Sequence, residues 1–111
     1  MKVLSALAST AVLTATALTS TPAEAKQVCG WYAIAYCSTS NAAVVTFANN
    51  GWGQVINTSN YRGFAPGKFC AVSGPQSKSS ADSDRRAALN TGATKSAYIK
   101  NACTDEANLG D

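Results

Sequence analysis

Histidine is absent from the 111-residue chain, and charged residues make up only 14% of it. Without histidine, the usual general base is missing, and so are the serine and cysteine triads that depend on it. A glycosidase needs two carboxyl groups held across a cleft, and the spacing of the acidic residues beyond position 25 does not predict such a pair. These residues are Asp82, Asp84, Asp105, Glu106 and Asp111. We therefore expect a protein that is not an enzyme and that uses no cofactor.

A long uninterrupted apolar run is also missing. The apolar stretch over residues 3–18 is broken by serine and threonine, and it falls short of the roughly 18 clean apolar residues of a membrane-spanning helix. It follows Lys2 and precedes Ala23-Glu24-Ala25, the small-x-small pattern that signal peptidase accepts. We predict a signal peptide over residues 1–25, in preference to a membrane anchor. The exported chain then begins at Lys26, has no membrane anchor, and is periplasmic or secreted.

Dense positive charge is lacking too. The net charge of +3 is mild, and it suits an acidic polymer or a cell envelope without identifying either. Proteins that read nucleic acids show a denser cluster of lysine and arginine than this chain has. We expect no nucleic-acid partner.

Four cysteines are present, and all of them follow the predicted signal peptide: Cys29, Cys37, Cys70 and Cys103. An even number in a small exported chain predicts two disulfides, for which three pairings are possible. A zinc site is the weaker alternative, because the chain has no histidine and no Cys-x-x-Cys spacing. We predict no metal site.

Two similar halves follow one another in the predicted elements. Strands are expected over residues 30–37, 54–58, 68–73 and 95–102, with polar loop residues at 76–80. Helices are expected from the capping residues at 38–41 to Asn50-Gly51, and over residues 81–90, with Asp82 and Asp84 in the first turn of the second helix. An acidic, flexible tail is expected over residues 105–111.

The predicted element order is strand, helix, strand, strand, helix, strand. It indicates an α+β fold of the ferredoxin-like split βαβ (βαββαβ) class, a four-stranded antiparallel sheet with two helices on one face. Right-handed crossovers give the strand order 4-1-3-2. The first strand then runs antiparallel between the third and the fourth, which predicts disulfides joining Cys29 to Cys103 and Cys37 to Cys70.

The hairpin sequence resembles a known family. Val55-Ile-Asn-Thr-Ser-Asn-Tyr61 is followed by Phe64-Ala-Pro-Gly-Lys-Phe69 and Gly74-Pro75, and after a helix by Gly92 and Ala97-Tyr98-Ile99-Lys100. This order is similar to that of the SPOR (sporulation-related repeat) domain, and the similarity covers most of residues 31–101. The resemblance implies a SPOR-like domain over residues 26–104. It also implies binding of bacterial peptidoglycan glycan strands, stripped of their stem peptides, on the open face of the sheet.

The side-chain alternation defines that open face. Placing Cys70 and Val72 toward the helices buries Val72 and allows both disulfides, whereas alignment of Gly74-Pro75 with the family places Ala71 and Ser73 there instead. We adopt the first arrangement. Aromatic rings on the other face can stack on sugars, and Arg62 and Lys100 can meet carboxylates. The candidate ligand-binding residues are Tyr32, Ile34, Tyr36, Arg62, Phe69, Tyr98 and Lys100.

A second function remains open. Where SPOR domains tend to carry glutamine and glycine in the first strand, this chain has Ile34 and Tyr36. These differences favour a secreted, disulfide-stabilised interaction or inhibitor protein that keeps the fold without binding glycan. Its partner would be a protein of the cell envelope.

Overall fold

The computed structural model describes residues 26–109, so the predicted signal peptide lies outside the described residues. The chain has an α+β fold, as expected, in which one strand precedes the first helix, three lie between the two helices and one follows the second. The elements are β1 (Gln27–Ser38), α1 (Asn41–Asn49), β2 (Gln54–Asn57), β3 (Tyr61–Arg62), β4 (Phe69–Gln76), α2 (Lys78–Asn90) and β5 (Tyr98–Asp105). Short 3-10 turns cover Thr58–Asn60 and Glu106–Asn108, the latter within the segment expected to be a flexible tail. Within residues 26–109, no helix is both long enough and apolar enough to cross a membrane.

The sheet has five strands in the order β2-β4-β1-β5-β3, and every pair of neighbours is antiparallel. The four expected strands have the expected order. The prediction of a four-stranded sheet was wrong. Residues of the loop between the second and third predicted strands (residues 59–67, the hairpin loop) form β3, which pairs with β5 at Thr104 and Cys103. Residues 58–60 alone connect β2 to β3, although these two strands lie at opposite edges of the sheet. So short a link reaches at most about 14 Å, whereas a flat five-stranded sheet is about 19 Å wide. The sheet is therefore curled so that its two edge strands approach each other.

Disulfides fasten both ends of the central strand β1. Cys29 is bonded to Cys103 of β5, and Cys37 is bonded to Cys70 of β4, which confirms the predicted pairings. The bonded cysteines are direct partners in the strand register, with Cα atoms 4.0 and 4.1 Å apart. Each neighbour of β1 is thus held covalently at one end.

Serine side chains set the starts of both helices. The Ser40 hydroxyl accepts a hydrogen bond from the Ala43 amide, and the Ser77 hydroxyl accepts one from the Ser80 amide. Because of the second cap, α2 begins at Lys78 and the predicted loop over residues 76–80 was wrong. The expected placement of the two aspartates in the first turn was wrong for the same reason.

Contacts with the helices identify the face of the sheet on which they pack. The Lys78 ammonium lies over the Trp31 ring at 5.2 Å, and the Phe47 ring stacks on Tyr36 at 5.2 Å. The Ser73 hydroxyl of β4 donates a hydrogen bond of 2.7 Å to the carboxylate of Asp84 in α2. Both helices therefore pack on the face of the sheet that carries Trp31, Tyr36 and Ser73. The strand residues that alternate with Trp31 and Ser73 point to the opposite face.

The alternating residues form a core on the opposite face. The cluster consists of Tyr32, Ile34, Ile56, Tyr61, Cys70, Val72 and Ala102, with Phe64 and Cys37 packed against it. The expectation that Cys70 and Val72 face the helices was therefore wrong. Both residues point away from the helices, and Ala71 and Ser73 face them, as the alignment with the SPOR family favoured.

An irregularity in β1 explains how this arrangement still forms the disulfide. Ile34 is paired with Val72 but Tyr36 is paired with Ala71, so β1 contains one extra residue at this point. A bulge of this kind changes the alternation of the strand. As a result Tyr36 turns to the helix side, and Cys37 returns to the side of Ile34, where Cys70 lies.

The hairpin loop covers the core cluster. The rings of Tyr61 and Phe64 pack edge-on against the Tyr32 ring at 5.7 and 6.1 Å, and Tyr32 and Ile34 are 0% and 1% exposed. The expectation of an open sheet face was therefore wrong at these two residues, because the chain folds back over its own sheet. Burial and the nearby Tyr61 raise the pKa of Tyr32, as expected for a phenol in a core.

Hydrogen bonds hold the covering segment in place. The Thr58 hydroxyl donates to the Lys68 carbonyl and accepts from the Lys68 amide, each at 3.0 Å. The Thr104 hydroxyl donates to the Asn60 carbonyl at 2.6 Å. Gly63 passes so close to β5 that an added Cβ would lie 2.6 Å from the Asn101 carbonyl oxygen, and its φ of 116° also favours glycine.

Replacing Tyr32 by alanine tests whether the covered face is a core. We expect Tyr32→Ala to lower the free energy of unfolding by about 3–5 kcal/mol, because it removes a fully buried ring. The measurement is urea denaturation of the oxidised protein. Tyr98→Ala is the matched control, since that ring is exposed, and it should change stability by about 0.5 kcal/mol or less. Equal destabilisation by the two substitutions would contradict a closed core on this face.

Candidate binding site

Two aromatic side chains remain accessible on the folded chain. Among the described residues, the exposed large hydrophobic side chains are Tyr36 and Tyr98, with 37% and 47% of their surface accessible. Both line one cleft of about 360 Å³. The residues of this tyrosine cleft are Ile34, Ala35, Tyr36, Cys37, Lys68, Thr94, Ser96 and Tyr98.

Neighbouring groups fix the two tyrosines. The bulge in β1 turns Tyr36 toward α1, where its ring stacks on Phe47 with an interplanar angle of 29°. Tyr98 is the first residue of β5 and is paired with Ile34, which is buried. The Tyr98 hydroxyl lies 4.0 Å from the Cys37 sulfur, so the disulfide adjoins the cleft. The two rings are thus carried by a rigid part of the sheet.

The polar groups of the cleft come from two loops. The backbone of Lys68 is held by both hydrogen bonds of Thr58, which places this lysine at the start of β4. Within residues 26–109, the salt bridges join Arg85 and Arg86 to Asp82, and Lys68 takes part in none. The Thr94 hydroxyl donates to the Ser96 carbonyl and accepts from the Ser96 amide, which closes the other loop. The cleft therefore combines a cation, hydroxyl groups and aromatic rings.

The protonation state of Tyr98 follows from its surroundings. Partial burial of the phenol raises its pKa above the ordinary value of 10.0. The hydroxyl is therefore neutral at physiological pH, and it can both donate and accept a hydrogen bond.

The structure separates the seven residues that the sequence grouped together. Ile34, Tyr36 and Tyr98 line the tyrosine cleft, although Ile34 is almost fully buried. Tyr32 lies in the core. Phe69 lines a different pocket of about 310 Å³, beside Asn41 and Asn57.

The two predicted cations also lie outside the cleft. Arg62 belongs to β3, and its guanidinium donates a 2.7 Å hydrogen bond to the side-chain carbonyl of Gln27. Lys100 is exposed and is paired with Tyr32 across the strands. The lysine that does line the cleft, Lys68, was not predicted, because its position depends on the bulge in β1 and on the Thr58 hydrogen bonds.

The lining residues determine which groups the cleft offers to a ligand. Its lining contains no carboxylate, and Cys37 is held in a disulfide with Cys70. Among the described residues, no group of three or more histidine, cysteine or acidic side chains is placed to hold a metal ion. The tyrosine cleft offers ring faces, neutral hydroxyls and one ammonium group, which together suit a polar ligand with apolar faces and an anionic group.

The raised pKa of Tyr98 can be tested by titration. The absorbance of phenolate near 295 nm, recorded as the difference between the wild type and Tyr98→Phe, should show a midpoint above 10. Because the Tyr98 pKa is higher in the folded than in the unfolded state, this phenol does not lower the free energy of unfolding below pH 10. The free energy of unfolding falls as pH rises from 10 through the folded pKa, since the unfolded chain ionises first. A difference midpoint at or below 10 would contradict the partly buried setting of this hydroxyl.

No known protein family, curated protein or solved structure matches the chain. The function proposed below is therefore drawn from the geometry of the tyrosine cleft together with the resemblance in the hairpin sequence.

Proposed function

We propose that the protein is a non-catalytic binding module of the bacterial cell envelope that binds peptidoglycan glycan strands in the tyrosine cleft. One observation carries the proposal: Tyr36, Tyr98 and Lys68, which forms no salt bridge within the described part of the chain, all line the same cleft. Tyr36 lies on its helix side, and Tyr98 lies on the side of Ile34. A glycan strand without stem peptides presents apolar sugar faces, hydroxyl groups and lactyl carboxylates. Each of these has a chemical counterpart in the cleft.

The architecture supports a SPOR-like assignment. We propose a ferredoxin-like split βαβ domain over residues 26–104, to which β3 is added as a fifth strand. The expected strand order and the packing of both helices on one face favour this assignment. Because the hairpin loop occupies the other face, the proposed ligand site lies at the end of the sheet where β1 ends and β5 begins.

Export is part of the same proposal. Two disulfides are compatible with a secreted or periplasmic protein, because such bonds persist in oxidising compartments. We propose that residues 1–25 act as the signal peptide and that Lys26 is the first residue of the exported chain.

A second candidate is a secreted protein that binds or inhibits a cell-envelope protein. The covered sheet face favours it, since Tyr32 and Ile34 are closed off from any glycan. In that case the exposed tyrosines would contact a protein surface.

Retention on purified sacculi distinguishes the two candidates. We expect the oxidised protein to be retained on amidase-treated sacculi, which carry denuded glycan, and not on untreated sacculi. Tyr98→Ala should weaken this retention about two- to tenfold, because a stacked aromatic ring contributes about 0.5–1.5 kcal/mol beyond its buried area. Lys68→Gln should also weaken retention, and more strongly at low ionic strength.

Matched variants make this result specific. Lys26→Gln is the control for Lys68→Gln, because it also removes one positive charge. Lys26 lies beside the start of β1, at the end of the strand away from the cleft, so this substitution should leave retention unchanged. Absence of retention on both kinds of sacculi would contradict glycan binding. Retention that is undiminished in Tyr98→Ala would instead place the glycan outside the tyrosine cleft. Capture of a defined envelope protein, lost in Tyr98→Ala, would support the second candidate.

A further inference from the structure

We infer that a second cavity, at the ends of the two helices, binds a small organic ammonium ion. This helix-end cavity measures about 480 Å³. It is lined by Phe47, Asn50, Gly51, Trp52, Ala87, Thr91 and Ala93. It shares no lining residue with the tyrosine cleft, and the inference is independent of the proposed glycan binding.

Aromatic and small side chains give the cavity its shape. Phe47 of α1 and Trp52, which follows the helix, are the aromatic residues of the lining, and Ala87 and Ala93 are small ones. One face of the Phe47 ring is stacked on Tyr36. The Trp52 amide donates a 3.1 Å hydrogen bond to the Ala48 carbonyl, so the backbone that carries the indole is fixed to the end of α1. Ring faces attract cations within about 6 Å of their centres, and tryptophan does so most strongly.

The two helix ends determine which charge the cavity prefers. Asn50 is the C-cap of α1 and Thr91 is the C-cap of α2, and both residues line the cavity. The C-terminus of a helix carries a partial negative charge, which a lysine or arginine in the last turn commonly balances. Neither helix has a basic residue in its last turn. Both C-caps therefore line one cavity, and no basic side chain in either last turn balances the partial negative charge of these helix ends.

The lining itself carries no side-chain charge that would offset this preference. The lining contains no lysine, arginine, aspartate or glutamate. Arg86, next to Ala87 in the sequence, lies 3.5 Å from the Asp82 carboxylate one turn earlier in α2. The protein's net charge of +3 acts over longer distances and is screened at physiological salt. A compact cation with apolar substituents fits both the rings and the helix ends.

A titration followed by amide NMR tests the inference, with tetramethylammonium chloride as the probe. Sodium chloride keeps the ionic strength constant, and neopentyl alcohol serves as an uncharged probe of similar size and shape. We expect saturable shifts at the amides of residues 47–52 and 91–93. The dissociation constant of tetramethylammonium should be about fivefold lower than that of neopentyl alcohol, as cation–π attraction at a partly exposed site predicts.

A substitution in the last turn of α2 tests the role of the helix ends. Asn90 is exposed, so Asn90→Lys should leave the fold intact while placing a positive charge beside the cavity. We expect it to weaken tetramethylammonium binding about two- to fivefold and to leave the binding of neopentyl alcohol unchanged. Asn90→Gln, which adds length without charge, should behave as the wild type.

Three results would overturn the inference. Equal affinity for the charged and uncharged probes would make the cavity a plain apolar pocket. Shifts centred on other residues would place the cation elsewhere, and the absence of saturable shifts would mean that no cation binds. Equal affinities of Asn90→Lys and Asn90→Gln for tetramethylammonium would remove the helix ends from the explanation.

Discussion

The covalent fastening of β1 to both of its neighbours is the constraint on which the rest of the structure depends. β1 lies between β4 and β5, and each disulfide joins residues that are direct partners in the sheet. The two cysteines of a disulfide are 74 residues apart for Cys29–Cys103 and 33 residues apart for Cys37–Cys70. Closing a loop of either length in the unfolded chain stabilises the folded state by about 4 kcal/mol. A domain of this size buries a limited share of its surface, so contributions of this size are a large part of its stability. Fixed registers on both sides of β1 also allow the long hairpin loop to fold back onto the sheet and close the core on the face opposite the helices.

The position of the candidate site follows from the same constraint. To place Cys37 opposite Cys70 while Ile34 remains opposite Val72, β1 has to accommodate one extra residue. That bulge turns Tyr36 to the side of α1 and leaves it half exposed beside Tyr98. The position of Tyr36 at the cleft that we propose to bind glycan is therefore a consequence of the bulge that accompanies the Cys37–Cys70 disulfide. The sheet face, which the hairpin resemblance implied as the binding surface, is occupied by Tyr61 and Phe64 instead.

Much of the fold could be predicted from the sequence, and the failures have local physical causes. The order of strands and the two disulfides followed from element order and handedness, which are properties of long segments. The bulge at Ala35 has no sequence signal, because it arises from a tertiary bond between distant cysteines. β3 is only two residues long, and Tyr61 was assigned to a loop because its partner Thr104 lies far along the chain. The early start of α2 was missed because the capping hydroxyl of Ser77 stands in a run of serines in which no single one is distinctive. The bulge at Ala35 also explains why Tyr32 and Tyr36 do not share a face, although their spacing predicted it. The same bulge explains why Lys68 was not predicted to line the cleft.

Binding of glycan at the tyrosine cleft is the central claim, and amide NMR of the oxidised protein with soluble denuded glycan fragments tests it most directly. The structure predicts saturable shifts confined to residues 34–37, Lys68 and residues 94–98, where the cleft is lined. Unperturbed amides in this region, with saturable shifts over residues 54–57 and 61–64, would contradict it, since the glycan would then have displaced the hairpin loop and bound the sheet face.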